Sequence, residues 1–390
     1  MTKILILGGS GYTGRLLARH LLEQTDAEIV LAARDLEKAQ ALADQLNGEF
    51  KGARVTAVRV DAAEAASLKS ALRGADMLLA AAPLTSAPPE TVIRSALEAG
   101  VDYLDVQLGM KKLALLQSLA GEIKQAGRCF VTEAGFHPGL PAALVRYAAA
   151  QLDVIESAVT AGYLNMGGSK LPYTDSADEL MEFFKEYQAQ VFKNGRWTKP
   201  SSFDMRKLDF GGDIGRKNCY SMYLPELQAL PEMYPSLKEA GFYISEMHWL
   251  TDYFINMAVM VGLKLFPRRG IRPLGKLMWW GMFNLPKPPY RVELMVKAKG
   301  LKNGQQAQVR ASVSHPDGYE LTAIPVVAYL LQYLDGSAKR PGLWMMGHLA
   351  EPVRLMKDME KMGVLVQTSE VFETSEVSSL EKYHYPRRPR

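Results

Sequence analysis

The residues most able to do chemistry in this chain stand where short apolar runs end. Gly8-Gly9-Ser10-Gly11-Tyr12-Thr13-Gly14 follows the run KILIL and precedes an amphipathic pattern, which is the strand, glycine turn and helix order that cradles a dinucleotide pyrophosphate. In this reading Gly9 permits the tight turn, Gly11 lets backbone approach the phosphates, and Gly14 lets the helix pack closely. The helix N-terminus, with its unpaired N–H groups and partial positive charge, receives the anion. The residues Gly9, Ser10, Gly11, Tyr12, Thr13 and Gly14 are therefore candidate cofactor contacts.

A second candidate lies 20 residues past Gly14, where an NAD-specific fold places an acidic residue to accept from the ribose 2′-hydroxyl. This chain has Arg34 there. A guanidinium bonds a 2′-phosphate bidentately, so NADP is expected over NAD. Asp35, one residue on, is either a ribose acceptor or the N-cap of the following helix. Asp61 at the close of the third run is an adenine-side contact or a cap, and Ala82 and Pro83 close the fourth run beside the expected cofactor. Three ionisable residues, Asp105, Glu133 and His137, end later runs. The carboxyl ends of strands face the ligand crevice of an open α/β sheet, so these three are the catalytic candidates. An imidazole that changes charge near neutral pH makes His137 the first choice for general acid or base; a turn residue bonding nearby backbone is the alternative for it, as loop capping is for Asp105 and a structural acid for Glu133. Neither a hydrolase triad nor a metal-ligand cluster competes with them.

These residues require a particular scaffold. KILILGG, EIVLAAR, RVTAVRVD, DMLLAAA, VDYLDV and RCFVTEAG alternate with helix-length segments over about the first 150 residues, six βα units whose near-continuous apolar strands imply a parallel sheet covered on both faces. Right-handed crossovers make it doubly wound. Residues 1–150 are thus expected to form an NAD(P)-binding Rossmann domain. Residues 151–318 change character: DVIESAVTAGYL reads as a strand, SADELMEFFKEYQAQVF as a helix, and VELMVKAKG with QVRASVSH as a hairpin around KNGQ. They form the expected inserted α/β domain, with a mixed or antiparallel sheet, for substrate binding or dimerisation. Tyr163, Gly167, Gly168 and Tyr173 are expected in a loop over the crevice. The basic, Pro-containing tail 381–390 is expected to be unfolded.

Pro83, the run ALEAGVDYLDV with Ala96, Gly100, Tyr103 and Asp105, and Gly135-Phe136-His137-Pro138-Gly139 resemble the saccharopine dehydrogenase (NADP-dependent, saccharopine reductase-like) family. TAIPVVAYLLQYL and PGLW resemble it again near the C-terminus. The resemblance implies a Rossmann domain, an inserted substrate domain, and a return of residues 319–380 to the first domain. It also implies hydride transfer at a C=N bond, reducing an imine made from an aldehyde and an amine or oxidising the secondary amine. His137 stands where better-known members carry an acidic residue, and the middle of the chain is more apolar and basic than an amino-acid site needs. Saccharopine itself is therefore not the expected substrate. The competing reading is an NADP-binding redox-sensing module that docks to a membrane or protein partner without turnover.

The most unusual stretch is 249–285, where WLTDYFINMAVMVGLKLF, the basic PRRGIRPLGK and LMWWGMFNL follow one another. Neither apolar part reaches the roughly 20 residues of a membrane-spanning helix. Three readings stand open: an interfacial anchor facing anionic lipid, a core or homodimer-interface hairpin, and the wall of a pocket for a lipid-like substrate. A net charge of +4 over 390 residues gives no reason to expect nucleic acid as a partner. Two cysteines without metal or disulfide spacing and the absence of a leader-like start point to a cytoplasmic protein, membrane-peripheral if 249–285 is an anchor.

Overall fold

A computed structural model describes residues 1–168, 173, 175–185, 189–200 and 205–372. The six expected runs form β1 (Lys3–Leu7), β2 (Glu28–Ala33), β3 (Val55–Arg59), β4 (Met77–Ala80), β5 (Asp102–Asp105) and β6 (Cys129–Thr132). Side chains alternate across a strand, and here both faces are buried: Ile4, Ile6, Met77 and Leu79 enter one apolar cluster, whereas Leu5, Leu7, Leu78 and Ala80 enter another. That explains why Ile4–Leu7 and Met77–Ala80 are apolar at every position and do not alternate.

After β6 the chain builds β7 (Val154–Asn165), β8 (Val191–Lys193), β9 (Arg196–Thr198), β10 (Met205–Asp209), β11 (Arg216–Met222), β12 (Glu239–Ser245), β13 (Arg291–Lys302) and β14 (Gln305–His315), then β15 (Gly342–Met345) and β16 (Leu365–Phe372). The first sheet has the order β15-β6-β5-β4-β1-β2-β3, all parallel. The order reverses between β1 and β4, and at that switch point the carboxyl ends leave a crevice for ligand. The second sheet runs β10-β11-β12-β7-β13-β14-β16 and is mixed, with only the β7–β12 pair of that path parallel. The expected hairpin is β13–β14, with Val292 opposite His315 and Asn303-Gly304 at the turn. Both turn residues have positive φ, 51° and 74°, the geometry that suits the twist of a two-residue hairpin.

Four expectations are revised. The C-terminal return divides between the sheets: β15 extends the first, but β16 pairs with β14 in the second, because the exposed edge of a long hairpin offers a free ladder of N–H and C=O groups. The helix expected over SADELMEFFKEYQAQVF spans Asp175–Lys185, and Val191 and Phe192 belong to β8; two β-favouring residues gain a strand partner there. Tyr163 is no loop residue but a buried member of β7, its hydroxyl donating to Pro289 O at 3.0 Å. KLALLQSLAGEIKQAG forms two helices, Met110–Ser118 and Ala120–Gln125. The tail 381–390 lies outside the described residues.

The two sheets share one core. The helix Leu140–Ala149 is buried at eight of its ten positions, and its Leu144 and Val145 join a cluster that also holds Ile6, Val292 and Val296. The helix Glu320–Leu334 returns to the first domain, where Glu320 meets His20 at 2.6 Å.

Candidate active site

The glycine loop is a cradle in the literal sense. Gly8, with φ +82, takes the left-handed turn assigned from sequence to Gly9, and a Cβ on it would come within 2.8 Å of the backbone of Ala82. Gly9 instead lies against β2, where a Cβ would meet Leu31 at 2.9 Å. A Cβ on Gly14 would stand 2.3 Å from the carbonyl oxygen of Gly8, so the close packing expected there is seen. The helix Tyr12–Gln24 has Gly11 as its N-cap, no side-chain cap and no acid in its first turn, leaving its first N–H groups for an anion. Arg15 stacks on the Tyr12 ring at 4.1 Å, and Tyr12 in turn faces Tyr319 at 5.0 Å, which sets a guanidinium beside the loop. Ser10 and Thr13 lie in the same turn. These features fit a dinucleotide pyrophosphate.

Arg34 follows the last residue of β2, is exposed and has no ion pair among the described residues. Asp35 is the N-cap of the next helix, accepting from Lys38 N at 3.0 Å, which settles its two readings in favour of the cap. Sequence reading missed Arg59. It ends β3, is exposed, and pairs in register with Ala33, so it stands beside Arg34 at the same sheet edge. The signal was present: parallel neighbours end together, with Arg34 closing the second run and Arg59 standing just before the close of the third. Asp61 accepts from Ala63 N at 2.9 Å within a turn, and the N-cap of the next helix is Glu64 and not Asp61. Ala82 accepts from the Gln107 side chain, and Pro83 O accepts from Ser86 N and Ala87 N, so both shape the loop after β4 that Gly8 touches.

The three catalytic candidates converge on the carboxyl ends of β5 and β6 but have different environments. Asp105 is fully buried and its oxygens are engaged by Lys112 Nζ at 2.5 Å, Thr132 Oγ1 at 2.7 Å, Gln107 N at 3.1 Å and Glu133 N at 3.3 Å. These bonds tie the loop after β5 to the end of β6. Lys112 is equally buried and also donates to Gln107 O; in the sequence it was one of two lysines on a helix, and only packing turned it inward. His137 sits between Phe136, edge-on at 4.7 Å, and Phe242 at 5.9 Å. Its ring has no hydrogen bond among the described residues, and burial pushes its pKa down to about 4. Burial thus favours the neutral imidazole over the charged one near pH 7.

Glu133 has the opposite character. It is fully buried, neither carboxyl oxygen has a hydrogen-bond partner among the described residues, and its φ is +55°. A non-glycine residue in that region is strained, and such strain gathers at functional sites. Burial pushes its pKa up to about 7; the nearby Lys112 charge opposes the rise and Asp105 adds to it. The loop is held closed around it: a Cβ on Gly139, φ +118, would meet Glu133 O at 2.8 Å. From the second domain, Glu226 accepts from Gly139 N at 2.8 Å and Ala142 N at 3.1 Å, and its own pKa is pushed up to about 8 by burial, with Glu133 adding to the rise. Glu179, on the helix Asp175–Lys185, accepts from Leu84 N and is pushed up to about 7 by burial. Glu226 and Glu179 had no local motif to mark them. Their place in the site follows from the second domain folding over the first.

Gly167 and Gly168 lie against the Tyr290 ring, and Tyr173 donates to Asp178 at 2.5 Å. A groove lined by Met1, Asp26, Asp335 and Arg354 lies at the amino ends of β1 and β2. It is remote from the strand carboxyl ends, and Arg354 is already paired with Asp335 at 2.5 Å.

Residues 4–131 match the family described as saccharopine dehydrogenase NADP binding domain. A carboxyaminopropylagmatine dehydrogenase from Synechocystis sp. is 24% identical over 273 residues, 66% of this chain and 64% of that protein, so the chain spans just under two thirds of that relative's length. A carboxynorspermidine synthase from Vibrio cholerae is 23% identical over 400 residues, 91% of this chain and 94% of that protein. The fold matches an apo saccharopine dehydrogenase (L-Glu forming) from Saccharomyces cerevisiae with a TM-score of 0.64, 17% identity, and coverage of 95% of this chain and 100% of that one. The glycine cradle, the NADP-binding match over 4–131 and a likeness in fold that extends through the second domain make this chain similar to the saccharopine dehydrogenase-like NADP-binding oxidoreductases.

Proposed function

We propose that this protein catalyses NADP-dependent hydride transfer at a carbon–nitrogen bond, with Glu133 as the proton-handling group. The observation that carries the proposal is a buried carboxyl, without partners and with a pKa of about 7, at the end of a strand beside the cofactor crevice. Bound NADP supplies or accepts the hydride. The chain's own residues then have to manage a nitrogen whose protonation changes: an imine is reduced as its nitrogen takes up a proton, and a secondary amine is oxidised after giving one up. A group half-protonated near neutral pH does either, and a neighbouring cationic nitrogen would satisfy oxygens that protein leaves unpaired. Asp105 and Lys112, mutually neutralised, hold the Glu133 backbone in place. The neutral His137 ring and Phe242 line an apolar side that keeps water away from the reacting carbon.

The relatives are named for a carboxyaminopropylagmatine, a carboxynorspermidine and saccharopine, and all three names fit the same bond class. The test is NADPH oxidation with pairs of aldehydes and amines, and NADP reduction with secondary amines. Turnover with at least one pair is expected, with Glu133→Gln reducing kcat by about a hundredfold or more while NADPH affinity is kept. A protein that binds NADPH but turns over none of these, with Glu133→Gln indistinguishable in every assay, would overturn the reading in favour of a redox-sensing module.

A further inference from the structure

The region 249–285 resolves into two packed helices whose outer face has no covering among the described residues. A π-helical turn, Thr251–Ile255, runs into the helix Asn256–Leu265, and a short basic loop leads to the helix Ile271–Asn284. The inner stripe is complete. Thr251, Ile255, Val259 and Leu263 recur every four residues and are buried, the spacing of one helix face. They meet Met278, and the two helices touch so closely that a Cβ on Gly281 would stand 2.8 Å from Ile255 and one on Gly262 2.7 Å from Leu274.

The outer face is apolar as well. Phe254, Met257, Val261, Leu265, Phe266 and Trp280 are all exposed, Met257 and Leu265 at 66%. A surface helix ordinarily turns its polar side outward, so this pair, apolar on its outer side as well as its inner one, departs from that rule. Its margin is strongly cationic: Arg268, Arg269, Arg272 and Lys276 are exposed and without a carboxylate partner among the described residues, and no acidic residue occurs between Asp252 and Glu293.

We propose that this face docks in the plane of an anionic lipid bilayer, with the apolar side chains entering the headgroup boundary and the arginines and lysine resting on lipid phosphates. No helix among the described residues is long and apolar enough to cross a membrane, so the contact is interfacial, about 5–10 Å deep. Charge decides against a second copy of this chain. A two-fold interface brings the same patch against itself, and with no acid on the patch it would set unpaired guanidinium groups against one another. An anionic bilayer supplies the missing counter-charge over the whole margin at once, and the exposed Trp280 suits the headgroup level. The same helices pack on Asp175–Lys185, whose Glu179 reaches the loop after β4, so the docked face lies on the wall of the crevice.

The test is cosedimentation of the intact protein with vesicles of phosphatidylcholine, with or without phosphatidylglycerol, at low and high salt, together with tryptophan fluorescence. Binding to the anionic vesicles, a blue shift, and release by high salt are expected, because screening shortens the reach of surface charge from about 8 Å to about 3 Å at 1 M. The double variant Arg268→Glu/Arg269→Glu should lose about tenfold or more in binding while circular dichroism stays unchanged; Phe254→Ser/Met257→Ser should weaken it with the surface charge intact. Three results would overturn the proposal: no vesicle binding at all, equal binding to neutral and anionic vesicles at either salt, or a dimer dissociated by Trp280→Glu in a protein that ignores vesicles. The assay needs no substrate, so its outcome is independent of the proposed reaction.

Discussion

A carboxyl and an imidazole stand within one loop, and burial acts on them in opposite directions. Glu133 is raised to about 7 and His137 lowered to about 4, both by burial, since a low-dielectric setting disfavours whichever form is charged. The pH profile of kcat/KM should therefore show one group near 7. That group should vanish in Glu133→Gln and persist in His137→Phe, and the reverse pattern would return the proton to the imidazole. Imine reduction should weaken as pH rises through 7, because it needs the protonated carboxyl; amine oxidation should strengthen. At the other end of the cofactor, Arg34→Ala should cost roughly ten- to a hundredfold in NADPH affinity, the equivalent of about 1.5 to 3 kcal/mol for a charge-assisted contact, with little loss for NADH. The neighbouring Arg59→Ala should behave alike, and calorimetric titration of both coenzymes checks the pair.

At the scale of elements, glycine placement separates a positioning demand from a backbone demand. Gly14 has ordinary φ but no room: a Cβ would lie 2.3 Å from Gly8 O, so Gly14→Ala must push the helix Tyr12–Gln24 away from the loop. Loss of NADPH binding is expected to exceed any loss of stability, read by titration against thermal melting. Gly304 is the converse case. Nothing lies within 4 Å of a Cβ there, but φ is +74, so Gly304→Ala should cost about 1 kcal/mol in denaturant unfolding through backbone strain alone. It should leave cofactor affinity unchanged, because the hairpin turn belongs to the second sheet.

Across the whole molecule, buried acids join the domains and tie stability to pH. Glu226 bonds the N–H groups of Gly139 and Ala142, while His348 approaches its carbonyl at 2.6 Å, so one residue links the Glu133 loop, the helix behind it and the C-terminal return. Folded-state pKa values of about 7 for Glu133 and about 8 for Glu226, against an ordinary 4.5, mean that the folded chain holds protons the unfolded chain releases. Their contribution is fully present below about 4.5 and is lost as pH rises through 7 to 8. For Glu133 this is on the order of 3 kcal/mol. Glu133→Gln should thus gain melting temperature over the parent at pH 8 and little at pH 4.5, and a gain independent of pH would contradict the burial of an ionisable carboxyl.

The first sheet was legible in the sequence because its strands are apolar on both faces and each is followed by a helix of its own; local pattern and global position agree there. So was the glycine cradle, though its left-handed turn falls at Gly8 and not at Gly9, and so was NADP as the coenzyme. Long-range contact decided the rest. Lys112 looks like any helical lysine until Asp105 is found 2.5 Å away; His137 looks titratable until Phe136 and Phe242 enclose it; Glu226 and Glu179 carry no motif at all. A side chain's charge state depends on who shares its cavity, and the residues that meet here are far apart in the chain, as Leu84 and Glu179 are at 95 positions. The outer face of Asn256–Leu265 illustrates the same limit. Its composition was plain in the sequence, but only the packing of Thr251, Ile255, Val259 and Leu263 inward revealed that a second, equally apolar face was left to the solvent.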